Sequence, residues 1–314
     1  MSLTDEFSSS TVLLGDCTNL LQSLPASRFA LVVTSPPYNI GKSYEKDSFR
    51  NYKHYEQFTA EVAKELDRVL IGNGSICWQV GNHVRNSEIT PLDFLAFNVF
   101  SSLGYKLRSR IVWTFNFGLH GSRRFSGRYE VLLWFTKNDS YKFNLDPVRV
   151  PQKYPGKRHS SKKAAGQAGK LSGNPLGKNP GDFWEFDASA AFFDKPIWRL
   201  PNVKANHPEK TAHPCQFPVE VAERCILALT SEGDSILDPF AGVGSSMLAA
   251  EKHSRIGIGI EKEASYQKLA MDRLEQLRAG TLPLRPSGKP VAEPDGRAKV
   301  ATYPLEWMNA EGKG

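Results

Sequence analysis

The chain has 314 residues, enough for one α/β domain with an insertion or a small second lobe, and its 40% hydrophobic and 23% charged residues are those of a globular protein. A net charge of +7 favours a polyanionic partner. No apolar run approaches the roughly 18 residues of a membrane span, residues 1–10 lack a basic start followed by an apolar stretch, and Cys17, Cys77, Cys215 and Cys225 show no metal-ligand spacing, so a cytoplasmic protein with reduced thiols and no metal site is expected.

In chain order, a short buried strand is expected over residues 11–14, ending in the polar turn Gly15-Asp16, then a helix over 18–24 and a strand over 29–34. The run from Phe29 to Val33 is apolar and rich in β-branched residues, and two consecutive prolines stop it because neither can donate to a sheet ladder. Proline fixes its own φ and restricts the residue before it, so Ser35-Pro36-Pro37-Tyr38 presents a hydroxyl, a main-chain carbonyl and an aromatic ring in one rigid turn. Two readings stay open here: a clamp for a planar base carrying an NH2 group, and a proline turn with a packing tyrosine.

A helix over 55–70, with Phe58, Val62, Leu66, Val69 and Leu70 near a 3.6 spacing, leads to a strand over 74–80, a helix over 91–103 and strands over 107–115 and 130–135. Strands alternating with helices in this way imply a mainly parallel sheet covered on both faces. From 143 to about 218 the periodicity fades. Residues 151–180 carry Lys153, Lys157, Arg158, Lys162, Lys163, Lys170 and Lys178 with no acidic residue, so they form either a solvated loop or, preferably, a segment that contacts nucleic acid. Alternation resumes with a helix over 219–230, strand 234–237, helix 245–252, strand 255–260 and helix 265–277; the Pro- and Gly-rich residues 279–314 are expected to be poorly ordered.

The stretch Asp238-Pro239-Phe240-Ala241-Gly242-Val243-Gly244-Ser245-Ser246 lies between a strand and a helix. Its glycines let the main chain approach a ligand, and the helix start offers free N–H groups. Glu261, about 20 positions on at the end of the next strand, stands where nucleoside-binding α/β units hold ribose hydroxyls.

With both elements on one chain, the sequence from Thr11 to Leu277 resembles the DNA amino-methyltransferases that use S-adenosyl-L-methionine. Ser35-Pro36-Pro37-Tyr38 matches their catalytic tetrad, and the 238–246 stretch matches their cofactor loop. His213-Pro214-Cys215-Gln216-Phe217-Pro218 looks like the segment before that loop, and Gly15-Asp16 like the adenine-contacting turn. The order, catalytic motif first, is that of the β class. The resemblance implies an α/β, Rossmann-like methyltransferase fold, circularly permuted, with a mixed seven-stranded sheet and helices on both faces. It divides the chain into a catalytic half (11–142), a target-recognition insertion (143–205), a cofactor-binding half (206–278) and the tail.

The resemblance also implies roles. Ser35 and the Pro36 carbonyl accept the two N–H bonds of the target amino group; Tyr38 stacks on the flipped base, with Trp113 as the other wall or as core. Asp16 takes the cofactor's adenine or caps the helix after it, Glu261 takes the ribose, and His213, Asp238, Pro239, Phe240, Gly242, Gly244 and Ser245 surround the rest. Arg123, Arg124, Arg128, Lys153, Lys157, Arg158, Lys162 and Lys163 contact phosphates. Double-stranded DNA is the expected partner, with a separately encoded restriction endonuclease as companion, and the chain a monomer or homodimer. Serine in the tetrad goes with N4 of cytosine, aspartate with N6 of adenine, so cytosine is expected and adenine comes next. RNA or protein methylation, or DNA binding without catalysis, fits the motif order, the basic middle and the intact motifs less well.

Overall fold

The computed structural model describes residues 7–38, 52–114, 122, 124–151, 158, 170, 173–185, 203 and 207–285. Its elements are β1 (Thr11–Leu14), α1 (Cys17–Ser23), β2 (Phe29–Thr34), α2 (Tyr52–Val69), β3 (Leu70–Val80), β4 (Asn82–Arg85), β5 (Glu88–Pro91), α3 (Leu92–Ser102), β6 (Lys106–Thr114), β7 (Tyr129–Thr136), β8 (Phe183–Glu185), α4 (Val219–Leu229), β9 (Ser235–Asp238), α5 (Ser245–Lys252), β10 (Ile256–Glu261) and α6 (Ala264–Arg278). No described helix is long and apolar enough to cross a membrane.

The main sheet has the order β1-β10-β9-β2-β3-β7-β6-β8. Pairing is parallel from β1 through β3, and β7 runs antiparallel to both β3 and β6. All six residues of β2 are buried, as expected of a parallel strand covered on both faces. Alternate side chains serve the two cores: Leu31 and Val33 meet α4 and α5, while Val32, Ile76 and Trp78 meet α1, α2 and α3. In α2 the buried positions Tyr55, Thr59, Val62, Ala63, Leu66 and Val69 recur every three or four residues, making one apolar stripe.

Three features depart from the sequence expectations. The sheet has eight strands, not seven, because Phe183–Glu185, from the segment read as an insertion, pairs parallel with β6 and buries Trp184. Such a short strand carries too little periodicity to be seen alone. The β4–β5 hairpin was not anticipated either; Asn86 and Ser87 both adopt positive φ (51° and 65°), the two-residue turn that suits the twist of a hairpin, but without the glycine that advertises it.

The third departure is the start of the tail. Residues 279–285 fold back onto the domain: Leu282 and Leu284 pack on the α4–α5–α6 core, and the side chain of Arg285 is paired with Glu220 of α4, both almost fully buried. The Arg285 amide also donates to Glu209 Oε1 at 3.3 Å. Residues 286–314, including Leu305 and Trp307, lie outside the described residues. Without Arg285, Glu220 Oε1 keeps Arg224 at 2.8 Å, but the buried Oε2 loses the cation that faces it. Arg285→Ala should therefore lower unfolding stability by about 3 kcal/mol in urea titrations, whereas Arg278→Ala, at the more exposed pair with Glu251, should lower it far less. Equal losses would show that the tail contact is not buried in solution.

Candidate active site

Parallel strands β1, β10, β9 and β2 end on the same edge, and β2 and β9 lie side by side at the point where the chain direction of the sheet's growth reverses. Open α/β sheets hold ligands in the crevice at such a point. A cavity of about 500 Å³ opens there, lined by the turns after all four strands.

One lobe of the cavity is formed by the turns after β1, β9 and β10. Asp16 uses Oδ1 to cap α1, accepting from Thr18 N at 2.9 Å and Thr18 Oγ1 at 2.6 Å, while Oδ2 faces Lys262 Nζ at 3.7 Å. Capping and cavity lining are thus both true of this residue. Glu261 accepts from Gly242 N through Oε2 and from Glu263 N through Oε1, each at 2.8 Å, and burial raises its carboxyl above the usual range. Gly242 has φ +53°, and a Cβ there would come within 3.5 Å of His213 Nε2. The His213 ring stands edge-on to Tyr266 at 4.5 Å, and burial, with Lys210 nearby, pushes its pKa down to about 4, so it is neutral at pH 7. Pro239, Phe240 and Ser245 complete the wall; Phe240 is held by Trp78 and Phe58, and Ser245 Oγ donates to Phe217 O at 3.0 Å. Asp16, Glu261 and Glu263 outnumber Lys262 around this lobe, which suits a ligand bearing positive charge and hydroxyls and opposes a phosphate.

The other lobe is formed by the Ser35–Tyr38 turn. Ser35 Oγ lies 2.9 Å from Tyr38 Oη, and Tyr38 Oη donates to Glu130 Oε2 at 3.1 Å. Gln79 Nε2 donates to the same carboxylate oxygen at 2.6 Å. Gly81 lies against the Tyr38 ring, where a Cβ would be 3.2 Å from Cε2. Trp113 lines the cavity and is also buried in the core, opposite Glu130 in the β6–β7 register. Sequence reasoning missed Glu130 and Gln79. The available signal was an acidic residue opening the otherwise apolar run Val131–Phe135.

A family model covering N6 and N4 methylases, described as DNA methylase, matches residues 29–272. The chain is a DNA methyltransferase of this family. It is 44% identical over 257 residues to the type II methyltransferase M.BglII of Bacillus subtilis, a match spanning 82% of the chain and 66% of that relative. It is 30% identical over 271 residues to the DNA adenine methyltransferase YhdJ of Escherichia coli K12, spanning 84% and 82%. Among solved structures, the cytosine-N4-specific PvuII DNA methyltransferase shares the fold with a TM-score of 0.61 at 19% identity, covering 88% of the chain and 96% of its own. A DNA modification methylase of Thermus thermophilus, complexed with S-adenosyl-L-methionine and itself described as putative in that role, does so with 0.57 at 24%, covering 85% and 94%. The cofactor of the methyltransferase is S-adenosyl-L-methionine, a cation that the acidic lobe fits.

Two residues expected at the cofactor, Asp238 and Gly244, do not themselves line the cavity. The carboxylate of Asp238 is fully enclosed behind the loop, accepting from Thr34 Oγ1 at 2.5 Å, Ser246 Oγ at 2.6 Å and Phe240 N at 3.1 Å. Gly244 is a packing glycine, with φ +81° at the start of α5 and room for a Cβ only 3.1 Å from Ala270 Cβ. Of the expected phosphate contacts, Arg124 and Arg128 are half-buried on the loop before β7, where Arg124 donates to the carbonyl of the fully exposed Phe125, and Arg158 is exposed. Arg123, Lys153, Lys157, Lys162 and Lys163 lie outside the described residues.

Burial raises the Asp238 carboxyl to about 6 despite its three donors. A native pKa above the unfolded one means that the folded protein holds its proton longer; the stabilisation is full below about pH 4 and is lost as pH rises to about 6. Because Asp238→Asn cannot titrate, the stability of the wild type relative to this variant should fall by about 2 kcal/mol between about pH 4.5 and 7, read from urea midpoints at each pH. A constant difference would contradict the buried, desolvated carboxyl.

Proposed function

We propose that this methyltransferase transfers the methyl group to N4 of a cytosine flipped out of duplex DNA, as the modification enzyme of a restriction-modification pair. The observation that carries this reading is the Ser35–Tyr38 turn opening into the same cavity as the acidic lobe. S-adenosyl-L-methionine supplies a methyl group made electrophilic by its sulfonium. The chain must hold an amine in line with it and free the amine's lone pair, which the ring otherwise delocalises. Ser35 Oγ and the Pro36 carbonyl are the acceptors for the two N–H bonds, drawing the nitrogen toward a pyramidal form that is better held in the transition state than in the ground state. Tyr38 and Trp113 bracket the base. On the cofactor side, Glu261 holds the ribose, Asp16 the adenine amino group through the oxygen not used in capping, and Gly242, Phe240 and His213 the remainder. Asp238 is a positioning residue for both turns. Arg124, Arg128, Arg158 and the lysines of 151–180 meet phosphates, giving affinity that falls steeply with salt.

Adenine N6 is the second reading, favoured by the 30% identity to a protein named as a DNA adenine methyltransferase. Both bases present NH2 beside a ring nitrogen, so a serine acceptor serves either. The companion nuclease is inferred from the type II name of the most similar relative given above.

Nucleoside mass spectrometry of DNA treated with the enzyme should give N4-methylcytosine; N6-methyladenine as the sole product would reverse the base assignment. Gly242→Val should abolish cofactor binding as read by calorimetry. Tyr38→Ala should leave cofactor binding intact and slow methylation about 10-fold or more through lost stacking.

A further inference from the structure

We propose that Glu130, acting through Tyr38, fixes the hydroxyl of Ser35 as a hydrogen-bond acceptor toward the target amino group. The inference deepens the reading of Ser35 as an amine acceptor and rests on it. A serine hydroxyl has one proton and two lone pairs, and a phenol likewise has one proton to give. Tyr38 Oη donates that proton to Glu130 Oε2 at 3.1 Å. The same oxygen takes Gln79 Nε2 at 2.6 Å, so both groups that meet Oε2 donate to it. Ser35 Oγ, 2.9 Å from Tyr38 Oη, can then join the line only by donating. Its proton points away from the substrate and its lone pairs are left for the cavity that Ser35 lines.

The orientation matters because a free serine hydroxyl could turn its proton onto the amine lone pair and quench the nucleophile. A hydroxyl that donates is also a stronger acceptor, since hydrogen bonds in a chain polarise one another. The relay is held from three sides. Glu130 is the second residue of β7, which is paired with both β3 and β6; Gln79 comes from β3; and Gly81 leaves just enough room for the Tyr38 ring. Burial, followed by the charge of Glu130, raises the Tyr38 phenol well above its ordinary range, so the proton the relay needs stays on the phenol. Glu130 is a positioning residue: it acts through Tyr38 and touches no reacting atom.

The test compares Glu130→Gln, Tyr38→Phe, the double variant and Ser35→Ala in single-turnover methylation of a duplex carrying the recognition site, which sequencing of methylated sites identifies. Calorimetric affinities for S-adenosyl-L-methionine and DNA are measured alongside. Tyr38→Phe keeps the ring and removes the relay, and Glu130→Gln presents an amide that can donate to Tyr38 and reverse it. Each single variant should lose about 10- to 100-fold in rate constant with both affinities changed less than about 3-fold. The double variant should lose no more than the worse single, because one relay is broken once. Rates within about 3-fold of wild type for both singles, with Ser35→Ala inactive, would overturn the relay and leave Ser35 as acceptor. Additive losses, or losses matched by weaker DNA or cofactor binding, would make Glu130 structural and overturn it as well. Full activity in Ser35→Ala would instead remove the reading on which the relay rests.

Discussion

The active-site half of the methyltransferase depends on one buried carboxylate. Asp238 ends β9, and its two oxygens are shared by Thr34 at the end of the neighbouring β2 and by Ser246 in the first turn of α5. Ser246 Oγ also reaches the carbonyl of Val33 at 3.2 Å. Taking a carboxylate out of water is costly, and three donors offset that cost only while strand, loop and helix keep this arrangement. Thr34 immediately precedes Ser35, and Phe240 begins the cavity wall, so the two turns that must cooperate cannot slide past each other. For an in-line transfer, a displacement of about 1 Å between them would cost on the order of 100-fold in rate. An acid can therefore be essential to a ligand-binding loop without facing the ligand.

Charge is divided between the inside and the outside of the site. The cavity carries Asp16, Glu130, Glu261 and Glu263 against Lys262, while the chain as a whole has a net charge of +7. The excess of cations thus lies outside the cavity, where Arg124 and Arg128 flank the exposed Phe125 on the loop that joins β6 to β7. Such a division suits an anionic partner outside the cavity and a cationic cofactor in the interior.

Much of this was legible in the sequence because it rests on local pattern. The alternation of apolar strands and amphipathic helices located α1 to α6 and the long strands to within a few residues. The proline stop after β2 and the glycine turn after β9 marked the two walls of the cavity. What escaped depends on partners distant in sequence. Phe183–Glu185 becomes a strand because β6 offers it an edge, and Arg285 is held by Glu220 and Glu209, both far back in the chain. That the Asp238 carboxylate is enclosed behind the cavity wall was not legible, since spacing cannot tell which way a carboxylate points. Glu130 drew no notice since the partners that tie it to the tetrad turn, Tyr38 and Gln79, are 92 and 51 residues away.

The serine of the tetrad raises a problem that the geometry of the second lobe answers. An aspartate at this position would place a full negative charge directly against the reacting amine. A serine offers a weaker acceptor whose proton can point the wrong way. In the proposed relay Glu130 supplies the missing charge two hydrogen bonds away, and Tyr38 passes its effect to the oxygen of Ser35. Gln79 satisfies the same carboxylate. The acceptor and its polarising charge are separate residues in this site, so the tetrad alone understates the chemistry that its neighbours on β3 and β7 provide.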